Sequence, residues 1–101
     1  MAEIIKGTTP TIQYNFSDVN VENITEAYLS IKQNGAIALE KDLDTAIVGE
    51  NSLAWTLTQQ ETLAMQGRVS MMLNWLLTDG TRGASEKTTV LIDTNYKDEV
   101  I

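Results

Sequence analysis

The carboxylate of Glu61 is the first side chain in this sequence whose surroundings suggest a chemical role. It lies in "TLTQQETLAMQG", a helix-like stretch from residue 56 to residue 67 in a chain whose other segments are strand-like. A carboxylate there could act as a general acid or base, or it could cap a helix. Thr58 precedes Glu61 by three positions, the spacing of a capping box, in which each side chain binds the backbone amide of the other residue. We therefore interpret Glu61 as a structural cap.

Three further carboxylates alternate along the chain and could bind a cation. Glu40, Asp42 and Asp44 would share one face of a strand, which resembles half of a calcium-binding loop. Such a loop also requires a glycine at its sixth position and a bidentate glutamate at its twelfth, and neither follows here. A solvated acidic face is the better interpretation, and we expect no metal and no other cofactor.

The residue types that most often perform catalysis near neutral pH are missing. The sequence contains no histidine and no cysteine, which removes the commonest general base, the thiol nucleophile and the usual zinc ligands. Two acids flanking a cleft could hydrolyse a glycoside, but with 14 Asp and Glu residues some pair always looks plausible. We expect that the protein is not an enzyme and has no small-molecule substrate.

The charge of the chain argues against two classes of partner. The 14 acidic and 7 basic residues give a net charge of -7, and the basic residues are scattered along the sequence. Nucleic acids and anionic membranes both attract proteins through clusters of Lys and Arg, so we expect neither as a partner. The opening "MAEIIKG" lacks the features of a signal peptide. We expect a protein used in a cytoplasm or built into a particle assembled there.

Short runs of β-branched and aromatic residues, separated by turn residues about every ten positions, predict the elements around these side chains. Their period of two is typical of half-buried strands. The sequence predicts an all-β fold, a single β-sandwich domain over residues 1–101 with six to eight strands. The predicted strands lie near residues 4–5, 11–16, 27–33, 36–41, 53–57, 68–77 and 87–93.

Two local signals predict how the chain turns between these strands. Asn34 and Gly35 stand between two strand-like runs and predict a hairpin with a type I′ turn, in which both residues have positive φ. The stretch near residues 58–66 predicts one short helical crossover between the sheets. Leu63 would then face the core, and Gly67 would adopt the left-handed conformation that ends the helix.

Alternation also assigns the larger apolar side chains to an inner or an outer face. Trp55 and Trp75 fall on inward positions, and we expect them to pack in the core from neighbouring strands. Met72 and Leu76 fall on the outward face of the longest predicted strand, and Tyr28 falls on the outward face of another. Because clustered exposed apolar residues mark contact surfaces, these three residues are the candidate partner interface.

The order of motifs resembles a known family. The segments "GTTPTIQYNF", "AYLSIKQNG", "LAWTLTQQETLAM", "GRVSMMLNWLLTDGTRGAS" and a closing "EVI" are similar to small proteins encoded among the structural genes of phages and prophages of Gram-positive bacteria. More distantly, the chain resembles the N-terminal β-sandwich domain of the upper baseplate proteins of siphophages. The resemblance implies an immunoglobulin-like sandwich that serves as a virion or assembly component without catalysis.

Two functions follow from these observations. The first is a tail or baseplate interaction module that contacts other phage structural proteins or copies of itself, either in the bacterial cytoplasm during assembly alone or also in the virion. The second, motivated by the charge of -7, is a small acidic inhibitor or mimic that binds a host factor.

Overall fold

A computed structural model describes residues 2–101, which form nine strands and one short α-helix. The strands are β1 (Ala2–Ile5), β2 (Thr11–Asn15), β3 (Ile24–Gln33), β4 (Ala36–Asp42), β5 (Ile47–Val48), β6 (Ser52–Thr56), β7 (Gly67–Leu77), β8 (Arg82–Ala84) and β9 (Thr88–Asp93), and the helix is α1 (Gln59–Leu63). The count exceeds the predicted six to eight because β5 has two residues and β8 has three, too few to produce an alternating pattern.

The strands form two sheets, and the predicted all-β sandwich is confirmed. The larger sheet has the order β1-β9-β7-β3-β4, with β8 also paired to β7, and the smaller has the order β2-β6-β5. Strands β2, β6 and β5 correspond to B, E and D of an immunoglobulin domain, while β3, β7 and β9 correspond to C, F and G. Strand β4 extends the larger sheet as the C′ strand does in variable-type domains. The fold is therefore an immunoglobulin-like sandwich.

The core lies between the two sheets and contains most of the side chains that alternation assigned to the inner faces, together with Val21, Ile24 and Met65, which lie outside the predicted strands. From β3 these are Ala27, Leu29 and Ile31, which have no exposed surface. The other core residues are Ile4, Val21, Ile24, Leu53, Trp55, Leu57, Met65, Val69, Met71, Leu73, Val90 and Ile92. Because β3 and β7 pair along most of their length, one face of this pair closes the core and the other faces solvent.

The turn between β3 and β4 has the predicted conformation. Asn34 and Gly35 have φ values of 54° and 81°, so both residues are left-handed as a type I′ turn requires. A β-bulge follows in β4, where the register shifts between Ile31 and Lys32.

Helix α1 carries the chain from the smaller sheet to the larger one, as the sequence predicted. The Thr58 hydroxyl accepts a hydrogen bond from the Glu61 amide at 3.1 Å, and the Glu61 carboxylate accepts one from the Thr58 amide at 2.8 Å. Both bonds of the capping box are therefore present. Gly67 has the predicted positive φ, at 69°, although it begins β7 rather than ending the helix.

The prediction that Leu63 faces the core was wrong. Its side chain is half-buried against Gly7, and Thr62 is the fully buried residue of α1. The Thr62 hydroxyl accepts from the Gly7 amide at 2.9 Å and donates to the Thr8 carbonyl at 2.8 Å. These two bonds attach the turn between β1 and β2 to the helix, so the helix rotates a polar residue inward.

The two tryptophans belong to different sheets, so the prediction that they lie on neighbouring strands was wrong. Trp55 on β6 is almost fully buried, and its indole N–H donates to the Asp42 carbonyl of the larger sheet at 2.9 Å. Trp75 on β7 is half-buried at the margin of the core, where its ring meets that of Phe16 edge to face at 5.1 Å. A β-carbon added to Gly83 would lie 2.4 Å from the Trp75 indole, so only glycine fits beneath this ring.

Candidate interface on the six-stranded sheet

The three predicted interface residues lie together on the outer face of the larger sheet. On β7, Met72, Asn74 and Leu76 alternate with the inward-facing Leu73. On β3, Tyr28 pairs with Asn74, so the phenol ring lies opposite the midpoint between Met72 and Leu76. Strand pairing therefore brings into one group three side chains that are up to 48 positions apart in the sequence, from residue 28 to residue 76.

These side chains are exposed or half-buried, so they form a surface patch and not a second core. Tyr28 is exposed, whereas Met72 and Leu76 are half-buried by their neighbours. Ile37 on β4, which is 51% exposed, extends the apolar surface towards the sheet edge. We call the outer surface of β3, β4, β7 and β8 around these residues the outer face.

Two shallow depressions flank the centre of the outer face. Leu76 lies in one, whose lining residues are Glu26, Tyr28, Asn74, Trp75, Leu76 and Arg82. Met72 lies in the other, whose lining residues are Ser30, Lys32, Ile37, Ser70, Met72, Asn74 and Lys87. Asn74 lines both, so the two depressions are adjacent, and side chains of a partner protein could enter them.

Tyr28 is held by acidic neighbours at one side of the outer face. Its hydroxyl donates to the Glu26 carboxylate at 3.0 Å. This hydrogen bond raises the pKa of Tyr28, and the negative charges of Glu26, Asp42 and Glu40 act in the same direction. The phenol is neutral at physiological pH, as an unperturbed tyrosine is, and its side chain is exposed to solvent.

Four cationic residues also project from the outer face, and their grouping was not predicted. They are Lys32 on β3, Arg68 on β7, Arg82 on β8 and Lys87 before β9. These residues are scattered in the sequence, and only the pairing of β7 with β3 and with β8 brings them onto one surface. The alternation of Arg68 and Lys32 with buried neighbours was the signal that placed each of them outward.

The position of Lys87 follows from a break between β8 and β9. Strand β8 pairs with residues 74–76 of β7 and β9 pairs with residues 67–71. Between them, the Ser85 amide donates to the Leu73 carbonyl at 2.8 Å, and the Leu73 amide donates to the Ser85 hydroxyl at 2.9 Å. Lys87 follows this break and lines the depression around Met72.

The candidate catalytic carboxylate is fully engaged in structural contacts. Lys41 pairs with Glu61 at 2.6 Å, in addition to the two bonds of the capping box. Partial burial alone would raise the pKa of Glu61, but hydrogen bonds from Lys41 and from the Thr58 amide outweigh it and lower the pKa. A general acid requires the opposite shift, so this geometry favours the capping role.

The alternating carboxylates do not continue along one strand. Glu40 and Asp42 lie on the outer side of β4, whereas Asp44 lies in a 3₁₀ turn beyond the end of that strand. Within residues 2–101, no group of three or more acidic side chains is arranged to hold a metal ion.

No helix within residues 2–101 is long and apolar enough to cross a bilayer. Comparisons of the chain with protein-family models, with curated proteins and with solved structures found no significant match.

Proposed function

We propose that this protein is a non-catalytic structural or assembly component of a phage or prophage tail or baseplate. Its sandwich would present the outer face to a neighbouring protein and join it by contact. The resemblance of the sequence to phage structural proteins supports the class of particle, and the immunoglobulin-like fold suits a compact module in a repeating assembly.

The observation that carries this proposal is the grouping of Met72, Leu76 and Tyr28 on one face. Their spacing places apolar and aromatic surface at the centre of the sheet and polar or charged residues around it. Interfaces between proteins commonly have such an apolar centre and polar rim. Tyr and Met are also among the residue types enriched in these centres.

The non-catalytic part of the proposal rests on how the acidic groups are used. Glu61 is bound by Thr58 and Lys41, and Glu26 accepts a hydrogen bond from Tyr28. A catalytic pair needs two acids across a cleft with one raised carboxyl pKa. The pKa of Glu61 is lowered rather than raised, by its hydrogen bonds from Lys41 and from the Thr58 amide.

Incorporation into particles tests the proposal. The gene would be replaced in its phage or prophage by the Met72→Lys variant, and purified particles would be assayed for this protein by mass spectrometry. We expect the wild-type protein in particles or assembly intermediates and a strong reduction for Met72→Lys, because a charge at the centre of an interface must be desolvated. Gln13→Lys is the matched control, since Gln13 is an exposed strand residue on the other sheet.

Absence of the wild-type protein from every particle and intermediate would refute the proposal. Equal incorporation of the Met72→Lys protein would show that the contact surface lies elsewhere. Both variants must first give the circular dichroism spectrum of the wild type.

A small acidic inhibitor of a host protein is the second candidate function. It is favoured by three carboxylates at one end of the sandwich, where Asp18, Glu22 and Glu50 line one depression. Their attraction for a basic partner would add to the net charge of -7. Capture of a host nucleic-acid-binding protein by the wild type, and loss of that capture in an Asp18→Asn, Glu22→Gln, Glu50→Gln triple variant, would favour this function over the first.

A further inference from the structure

We propose that the partner of the outer face is a second copy of this chain. The two outer faces would pack against each other about a two-fold axis that runs parallel to β3 and β7, between these two strands. This inference rests on the proposed function and names the partner of the same surface.

The first reason is the distribution of charge across the outer face. On β4, Glu40 pairs with Ser30 and Asp42 pairs with Tyr28, which places two carboxylates along one side. On the opposite side, Arg82 of β8 is the register partner of Leu76 of β7, and Lys87 follows β8. Apart from Lys32 on β3, the charges nearest the centre of the face are therefore acidic on the β4 side and basic on the β8 side, with Met72, Leu76 and Tyr28 between them.

A two-fold axis along the strands exchanges the two sides of the face. When two copies meet in this way, β4 of each copy lies over β8 and β9 of the other. Glu40 would then face Lys87 of the second copy, because both residues lie level with the row formed by Ser30 and Met72. The contact occurs twice by symmetry, and the opposite orientation, with acidic sides together, is excluded by repulsion.

The second reason is that the charges of the outer face have no ionic partners of their own. In the part of the chain that the structure describes, the salt bridges are Lys41–Glu61 and Lys97–Glu99. Glu40 accepts a hydrogen bond from the Ser30 hydroxyl at 3.1 Å, and Arg82 donates one to the Asn74 side chain at 3.2 Å. Both are neutral partners, which leaves the ionic pairing of these residues to a second molecule.

The third reason is the size of the face. The outer face has 31 strand residues, ten in β3, seven in β4, eleven in β7 and three in β8, and each covers about 16 Å² at spacings of roughly 3.4 Å along and 4.8 Å between strands. The total is on the order of 500 Å², below the roughly 800 Å² that each partner buries in a standard-size interface. A second copy can therefore cover this face in one contact of the smaller, reversible class.

Charge reversal tests the inference on the full chain. Sedimentation equilibrium would measure the dimer dissociation constant of the wild type, of Glu40→Lys, of Lys87→Glu and of the double variant. We expect each single reversal to weaken the dimer by roughly tenfold, because it creates two like-charge contacts. The double variant restores opposite charges and should return to within roughly threefold of the wild type.

Glu50→Lys is the matched control, because this exposed acid lies in the turn between β5 and β6, away from the outer face. It makes the same change of net charge as Glu40→Lys and should leave the dissociation constant within roughly twofold of the wild type. Thermal unfolding of every variant would verify that each one is folded.

The inference is overturned if the wild type stays monomeric at about 1 mM. At that concentration only a dimer with a binding free energy weaker than roughly 4 kcal/mol would escape detection. The inference is also overturned if neither single reversal changes the dimer dissociation constant, or if the double variant does not regain the wild-type value. These results leave the proposed function standing if the monomer is still incorporated into particles in a Met72-dependent way. Loss of that incorporation with a normal dimer would instead refute the proposed function alone.

Discussion

The outer surfaces of the two sheets have opposite chemistry. On the smaller sheet, Thr11 and Thr56 share a hydrogen bond of 2.9 Å, and the Gln13 amide donates to Asn15 at 2.9 Å. On the larger sheet, four cations and the side chains of Met72, Leu76 and Tyr28 project from one surface. Polar side chains therefore bond to one another on both surfaces, but only the larger sheet also presents a group of apolar side chains beside charges that form no salt bridge within residues 2–101.

The difference shows that exposure alone does not mark a contact surface. Both outer surfaces face solvent, and Ile47 and Val48 on the edge strand β5 of the smaller sheet are 56% and 60% exposed. Exposed apolar residues at the edge of a neutral sheet are ordinary, and adjacent residues of one strand point to opposite faces. The larger sheet differs because its apolar residues share one face and are flanked by charges of both signs that form no salt bridge within residues 2–101.

The inner surfaces of the two sheets form one core, so truncation of a core residue on either sheet should destabilise the whole fold. Truncation of Trp55 should have the largest effect. Trp55 lies on the smaller sheet but binds the Asp42 carbonyl of the larger one. We expect Trp55→Ala to lower the free energy of unfolding by about 3–5 kcal/mol, because it leaves a cavity and removes this bond. Urea denaturation followed by circular dichroism measures the loss. Leu29→Ala on the larger sheet should cost about 2–5 kcal/mol, and a transition in two separate steps would contradict a shared core.

Replacement of Gly83 by alanine should have the next largest effect, and only on the larger sheet. The new methyl group would collide with the Trp75 indole, which is itself held against Phe16. We expect a loss of about 1–3 kcal/mol in unfolding free energy and an altered tryptophan emission spectrum. In a Trp75→Leu background the same substitution should cost much less, and an equal cost in both backgrounds would show that the indole is not responsible.

Removal of the Glu61 charge tests the link between the sheets through α1. We expect Glu61→Gln to destabilise the fold by about 1 kcal/mol at pH 7, since it weakens the cap and the pair with Lys41. The folded-state pKa of Glu61 is lowered, so its contribution is present above the unfolded pKa of about 4.3 and is lost as the pH falls through the folded pKa.

The unfolding free energies of the wild type and Glu61→Gln should therefore converge as the pH falls below about 4. Urea titrations between pH 7 and pH 3 measure this convergence. Glu99→Gln is the control, because its pair with Lys97 is exposed and should contribute little at any pH. A difference between wild type and Glu61→Gln that does not change with pH would contradict an ionic contribution.

Charges introduced on the two outer surfaces should have the smallest effect on stability. Met72→Lys and Gln13→Lys should each change the unfolding free energy by no more than about 0.5 kcal/mol, because both positions have access to solvent. Thermal denaturation of dilute monomer measures this change. A large loss for Met72→Lys would mean that Met72 supports the fold and would weaken the contrast between the sheets.

The sequence predicted the features that depend on neighbouring residues. The Thr58 and Glu61 cap is a contact between residues three positions apart, and the Asn34-Gly35 turn is defined by its own backbone angles. Alternation assigned Met72, Leu76 and Tyr28 to outward positions because strand periodicity is itself local.

Features that depend on distant partners were missed. Thr62 turns inward because its hydroxyl binds the turn at Gly7 and Thr8, more than 50 positions away. The group of cations on the outer face exists only because β7 pairs with both β3 and β8. No pattern within one strand specifies a distant neighbour in the sheet, so the grouping of these cations could not be predicted.

The parallel pairing of β1 with β9 sets the order in which this molecule should acquire its structure. Ala2 pairs with Val90 and Ile5 with Asp93, so nearly the entire polypeptide must be closed into a loop before these bonds form. The entropy of that closure is recovered only after β3, β7 and β9 have assembled. Strand β1 should therefore dock last during folding, and its amides should exchange with deuterium sooner than those of β3 and β7.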